Sequence, residues 1–527
     1  MRKTTIRFGR LLAATAAIGL STGCATKFKV QENWNARLDK PIPLEETVAT
    51  WEGMRSGRVP AAEALEGYNR AVCNSVVQLA SNWESDKDAL SSVLTTDGTV
   101  EIEVDSVNVR NVGSIDQVVP AQFVKVRRGF DSTTEVEGVG CPLLVRQPHT
   151  PEDPMIPESG LWYPVTAVLN LDNRQRPILE LFDPTREGEI PFGGRRLPLA
   201  VNYTATFARD FEDRQRQFLA LPALFRFDQY AERMGLSRLS AFDPEKEVCV
   251  LVHGIYSSPA TWDETLNRLY ENKEIRERYE FWSFGYPTGA PVPFVASKFR
   301  TALQEMHGFR RENGASSAGA TLVGHSMGGL ISKAVTLGGG DKEWNMLYNV
   351  PVDELNVEEA DREVLREMIY YDPLPFVKRV VFCATPHRGS KLADNPLMRL
   401  AGNLIHLPTQ LVRVSTDIIE GSRYALTPLG FEMAEERPTS IDQLRTSSRA
   451  TAEFLNRPLN PEVAYHSIIG VNARKGKKLE KTHDTVVYYT SARLEGVESE
   501  RIVYESNHGV HKEEEGVEEI GRILSLP

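Results

Sequence analysis

Residues 321–330 read Thr-Leu-Val-Gly-His-Ser-Met-Gly-Gly-Leu. An apolar run enters Gly324-His325-Ser326-Met327-Gly328, a G-x-S-x-G pentapeptide, and a helix-forming segment leaves it. This spacing suits a serine on a sharp strand-to-helix turn, its hydroxyl exposed for nucleophilic attack. Small residues two before and two after are required because a Cβ there would meet neighbouring backbone. The following helix points its unpaired N–H groups at any negative charge that develops nearby. The same letters also suit a Gly-rich turn that merely joins strand to helix, so the flanks decide between the two.

Positioning such a serine takes a parallel sheet, and the flanks supply one. Glu247-Val-Cys-Val-Leu-Val-His253-Gly254-Ile255 is an apolar run ending in His-Gly, as a strand covered on both faces would be. Phe281–Tyr286 fits the intervening strand and Phe294–Met306 the helix packed on it. A further apolar strand, Val377–Ala384, leads into Thr385-Pro-His-Arg-Gly-Ser390. Strands alternating with helices predict an α/β fold with a mainly parallel sheet and its chemistry at the carboxyl ends of the strands.

With these pieces in place the sequence resembles the α/β-hydrolase superfamily, specifically its lipase- and esterase-like members. The resemblance rests on His253-Gly254-Ile255 with Ser257-Ser258-Pro259 and Trp262 behind it, on Gly324–Gly329, and on Thr385–Ser390, and it covers roughly residues 240–527. The family's chain order is nucleophile, acid, histidine. It implies Ser326 as nucleophile and Asp484, past the strand candidate Val463–Val471, as the orienting carboxylate. Asp394 is the alternative acid, and an Asp484 that only caps a helix or closes an Asx-turn is the structural one. The last strand, Arg501–Ser506, is followed by His508 and His511; His508 takes the place of the family's general base, and His511 fits a surface histidine. The backbone N–H groups of Ile255 and Met327 are the implied oxyanion donors. No cofactor enters this chemistry.

Gly338–Pro375 and the stretch from Thr385 to Val463 exceed ordinary connections, which marks them as helical cap insertions. Val364–Tyr371 and Leu397–Leu407 carry apolar residues at helical spacing, which fits either a lid or helices packed down on the core. Gly516–Leu526 reads as the closing helix.

Arg2, Lys3, Arg7 and Arg10 precede an apolar Leu11–Leu20 and Ser21-Thr-Gly-Cys24. That run is too short to span a bilayer, for which about twenty residues are needed, and reads as a secretory signal. It resembles a bacterial lipoprotein signal cut before Cys24, although Ser21 stands where an apolar residue is usual. The resemblance implies lipidation of Cys24 and a lipid-anchored protein of the bacterial cell envelope. Ala25 implies outer-membrane sorting. Ordinary signal cleavage is the alternative. Loss of the four basic residues in 1–23 takes the formal charge from −11 to −15, a balance that excludes a nucleic-acid partner on charge grounds.

Cys249 and Cys383 lie in apolar strands as buried thiols; Cys73 and Cys141 could pair in an oxidising compartment. His483, His508 and His511 could be assembled into a zinc site, but the serine motif explains them better, and no metal is expected. Pro60–Ala80 is a helix candidate with Leu65, Tyr68, Val72, Val76 and Leu79 on one face. Strand signals follow at Val100/Ile102/Val104, Phe123–Val126, Tyr163–Leu171 and Pro177–Phe182, the last two as a hairpin. Phe218–Met234 reads as a connecting helix. The expected organisation is thus a signal peptide (1–23), a tether and helical segment (24–95), a β-rich domain without an assigned role (96–215) and a catalytic domain (216–527). Two function classes remain: a membrane-anchored serine hydrolase of carboxylic esters, lipid or acylated glycan, or a scaffold lipoprotein retaining the fold. Acyl transfer and amide hydrolysis would use the same residues.

Overall fold

The computed structural model describes residues 29–32, 48–49, 52, 61–83, 92–95, 98–110, 114–171, 177–217, 220–316, 319–394, 402, 405–448 and 457–527. The signal segment 1–23, Cys24 and most of Leu397–Leu407 lie outside the described residues.

The N-terminal part is strand-rich, as the sequence predicts. Helix α1 (Ala61–Trp83) buries Tyr68, Val72 and Val76, one face at i, i+4, i+8, against a five-stranded sheet. That sheet contains β1 (Glu103–Ser106), β2 (Gln117–Pro120), β3 (Cys141–Gln147), β4 (Leu161–Asn170) and β5 (Ile178–Phe182), ordered β1-β5-β4-β3-β2. β4 and β5 pair antiparallel, Ile178 opposite Asn170, as the expected hairpin requires. Cys73 and Cys141 form a disulfide that ties α1 to β3. Closing a loop of 68 residues removes chain entropy from the unfolded state, worth about 4 kcal/mol at most on a chain-entropy model.

The C-terminal part is a seven-stranded sheet of β6 (Gly235–Arg238), β7 (Glu247–Val252), β8 (Tyr279–Gly285), β9 (Ala320–His325), β10 (Val377–Cys383), β11 (Ala464–Val471) and β12 (Ser499–Tyr504). Their order is β6-β8-β7-β9-β10-β11-β12, all parallel except the edge pair β6–β8. The segment Phe218–Met234 differs from its expected continuous helix. Short helical pieces, Ala220–Phe225, Phe227–Tyr230 and Ala231–Arg233, break at Arg226, whose backbone leaves the helical region (φ −132°, ψ 67°) and bridges to His406.

Register fixes the site. Val252 lies beside Gly324, and Gly324 beside Phe382, so β7, β9 and β10 end at one edge of the sheet. The chain runs from β7 outward to β8 and returns to β9 on the other side, so the strand order switches direction between β7 and β9. Ligands of open α/β sheets bind at such a point.

Helices α2 (Tyr203–Gln217), α3 (Asp263–Leu269), α4 (Val292–Glu312), α5 (Met327–Ala334) and the closing α10 (Glu514–Leu524) belong to the layers around this sheet; the two insertions include α6 (Asp341–Leu347), α7 (Glu359–Ile369), α8 (Thr409–Gly421) and α9 (Pro428–Glu436). Trp344, Val364, Ile369, Val414 and Ile418 form a small core shared by α6, α7 and α8, and Arg413 donates to the fully buried Asp361 at 2.8 Å. The apolar faces of the insertions therefore cover each other as a helical cap.

Candidate active site

Ser326 joins β9 to α5 with φ 54° and ψ −123°, a conformation that costs energy for any residue but glycine. Its N–H donates to Cys383 O at 2.9 Å, and its carbonyl accepts from Gly329 N–H at 3.0 Å, closing the turn. The glycines around it are steric requirements. A Cβ on Gly324 would stand 2.6 Å from the Gly329 backbone, and one on Gly328 would stand 2.2 Å from Val252 O. The hydroxyl is held at the sheet edge and is only 4% exposed.

The structure brings the three residues singled out in the sequence together. His508 Nε2 lies 3.0 Å from Ser326 Oγ, and His508 Nδ1 lies 2.7 Å from Asp484 Oδ2. The other carboxylate oxygen of Asp484 accepts from Val486 N–H (2.9 Å) and Val487 N–H (2.6 Å). With one oxygen held by backbone, the second aims at the imidazole. A carboxylate offers only acceptors, so Nδ1 carries the hydrogen and Nε2 presents a lone pair to the serine.

Asp394 takes no part; it accepts from Thr446 Oγ1 at 2.6 Å. His511 is not the surface histidine expected. It is 1% exposed, its ring lies 3.9 Å from His325 and 4.9 Å from Trp262, and its Nε2 contacts Thr261 Oγ1 at 3.2 Å. The turn after His508 carries His511 inward under α3 instead of out to solvent.

Of the two backbone amides named from the sequence, Met327 opens α5, where helix N–H groups lack intrahelical acceptors. Ile255 follows Gly254, which lies so close to Ser326 that a Cβ there would meet Ser326 Cβ at 2.9 Å. Tyr256, next along, is held at φ 57°. Ile255 and Tyr256 pack against Leu224, Ile405 and Ile441, so an apolar wall stands beside this loop.

Two supports escaped sequence reasoning. His325 Nε2–H donates to the carbonyl of His508 at 2.8 Å, fixing the loop that carries the imidazole; its only signal was its place beside the serine. The Thr385–Ser390 motif, recognised without a role, braces the acid loop. Ser390 Oγ donates to Val486 O (2.7 Å), and Arg388 donates to Thr490 O (3.1 Å) and Arg493 O (2.6 Å).

Burial pushes the imidazole of His253, stacked on Tyr286 at 4.3 Å, down to about 4. It also pushes His325 and His387 well below the usual histidine range. These rings stay neutral in the fold and take up protons once unfolded, near about pH 6.5. Their contribution is complete above that pH and is lost as pH falls from about 6.5 towards 4. The urea midpoint is therefore expected to fall over that interval; a midpoint that stays level from pH 6.5 to 4 contradicts the assignment.

No curated protein sequence matches the chain. Among solved structures it is similar to the mature Bacillus licheniformis lipase BlEst2, at 16% identity and a TM-score of 0.32, covering 54% of this chain and 95% of that one. It is also similar to lipase 1 from Pelosinus fermentans (13% identity, TM-score 0.32, 54% and 100% covered). Esterase B from Lactobacillus rhamnosis matches at 14% identity and a TM-score of 0.30, with 54% and 76% covered. A model of the alpha/beta hydrolase family matches residues 249–514. That span starts in β7, ends where α10 begins, and holds Ser326, Asp484 and His508: the chain belongs to the alpha/beta hydrolase family.

Proposed function

We propose that the protein hydrolyses carboxylic esters through Ser326, His508 and Asp484. The observation that carries this reading is the single imidazole within hydrogen-bond reach of both the serine hydroxyl (3.0 Å) and a buried carboxylate (2.7 Å). Ser326 Oγ attacks the ester carbonyl carbon as its proton passes to His508 Nε2. Asp484 holds Nδ1–H and supports the positive charge on the ring. The N–H groups of Met327 and Ile255 receive the oxyanion, each such donor being worth about 10²–10³ in rate. The imidazolium then returns its proton to the leaving alcohol, and water cleaves the acyl-enzyme by the reverse path. The apolar wall of Leu224, Ile405 and Ile441 beside Ile255 favours an ester with a hydrocarbon group.

The test is labelling with a fluorophosphonate, followed by a panel of chromogenic esters graded by acyl length. Covalent label and turnover that both vanish in Ser326→Ala are expected; a wild-type protein that neither labels nor turns over any ester rejects the reading.

We further propose lipid anchoring at Cys24, in a bacterial envelope and most consistent with an outer membrane. Two or three acyl chains suffice for stable attachment where one does not. The basic–apolar–cysteine order of residues 1–24 supports this, and the Cys73–Cys141 disulfide suits an oxidising compartment. Metabolic labelling with an alkynyl fatty acid is expected to mark the wild type and not Cys24→Ala; equal label on both removes the proposal.

A further inference from the structure

A cavity of about 160 Å³ lies between the cap and the hydrolase sheet's helices. Its apolar walls include Ala296 of α4, Ala334 at the end of α5, Leu365 of α7, Leu411 and Val414 of α8, and Ala434 of α9. Ser326, His508, Ile255 and Met327 do not line it. Ala334 stands eight positions after Ser326, which at about 1.5 Å of rise per residue puts the cavity on the order of 12 Å from the hydroxyl. An apolar cavity of roughly 150 Å³ stays dry and accepts a benzene-sized guest.

Charge at the wall points to one end of that guest. Arg300 and Arg437 both face the cavity. Arg300 lies over the Tyr371 ring at 4.0 Å and donates to the backbone carbonyl of Glu367. Arg437 donates from Nη2 to Thr416 Oγ1 at 2.8 Å, while its Nε is buried without a partner. Among the described residues neither guanidinium is paired with a carboxylate. The one acid in the wall, Glu343, is already bonded to Arg457 Nη1 at 2.6 Å. Arg437 also sits at φ 46° and ψ 63°, just past α9. Helix ends of this shape favour glycine, so a functional use for the guanidinium would explain an arginine there.

We propose that this cavity is a second, non-catalytic site that binds an aliphatic carboxylate of about six to eight carbons, sized by comparison with the benzene-binding cavity. The tail occupies the apolar walls, and the carboxylate takes the Arg437 Nε–H with Arg300 as the supporting charge. The site shares no residue with the reacting centre, so its occupancy does not depend on the role given to Ser326.

Isothermal titration of the full-length Ser326→Ala protein with octanoate, 1-octanol and octyl phosphate tests it. Octanoate is expected to bind at one site per chain. Arg437→Gly suits the left-handed backbone and removes the guanidinium; it should weaken octanoate by about tenfold or more, the worth of one charged hydrogen bond, and leave 1-octanol unchanged. Ala434→Leu fills the cavity and should remove binding of both. No octanoate binding to the parent protein, or octanoate binding that survives both substitutions, overturns the proposal. Octyl phosphate binding tighter than octanoate overturns the choice of a carboxylate head. Loss of ester turnover in Ser326→Ala is a separate measurement, so failure of one claim is not failure of the other.

Discussion

Ser326→Ala is expected to lower kcat for a chromogenic ester by roughly 10⁶, the scale on which removal of a triad serine acts, with little change in thermal midpoint. The turn that carries the residue is held by Ser326 N–H to Cys383 O and by Gly329 N–H to Ser326 O. Alanine keeps both bonds and keeps the Cβ against which Gly254 packs. What it loses is the oxygen 3.0 Å from His508 Nε2. Far-ultraviolet circular dichroism and melting should match the wild type while turnover and fluorophosphonate label disappear. Turnover at the wild-type rate would make the serine a structural turn residue and move the chemistry elsewhere.

The elbow was legible because its requirements are local. Two glycines flank a serine at fixed offsets between an apolar strand and a helix, and backbone close approach admits few alternatives. The parallel strands were legible for a related reason: Val248–Val252 and Leu322–Val323 are buried on both faces and read as unbroken apolar runs. Asp484 and His508 were found by chain order, and what the sequence could not provide is how they are held. The bond from His325 to His508 O spans 183 positions, and the Ser390–Val486 brace spans 96.

Other features were hidden by tertiary context. β3 carries Pro142 in its second position, a residue that argues against a central strand, yet the strand lies between β2 and β4. β6 is four residues long and gains its partner only from β8, more than forty residues later. The helical periodicity of Phe218–Met234 yields to the bridge between Arg226 and His406. Helical spacing marked the apolar face of Val364–Tyr371, most of which lies in α7, but it could not say that α7 faces α8; that pairing is decided by Asp361, Arg413 and the core around Trp344. Pairing of Cys73 with Cys141 likewise depends on where α1 docks.

The sharpest test of the site compares two histidines three residues apart. General-base help is worth about 10²–10⁴ in rate, and a broken triad retains only binding and oxyanion contributions. His508→Ala is therefore expected to lower kcat by at least about a thousandfold, with KM nearly constant because the ring acts on the serine. Its ring is hydrogen-bonded to Ser326 and Asp484, lies 4.9 Å from the His325 ring and is only partly buried, so the melting temperature should move less than when a fully buried ring is removed. His511→Ala should show the opposite pattern. That ring fills a buried space between His325 and Trp262, and truncation of a large buried side chain costs on the order of 2–4 kcal/mol. Its catalytic cost should stay below about tenfold, transmitted through His325, which touches both the His511 ring and the His508 carbonyl. Measuring kcat and melting temperature on both variants separates the roles. A His511→Ala protein that melts normally and is inactive, beside a His508→Ala protein that turns over, would reverse the assignment. The 2.7 Å contact between His508 and Asp484 makes that outcome the less natural one, since it would leave a buried carboxylate oriented by two backbone amides towards a ring with no work to do.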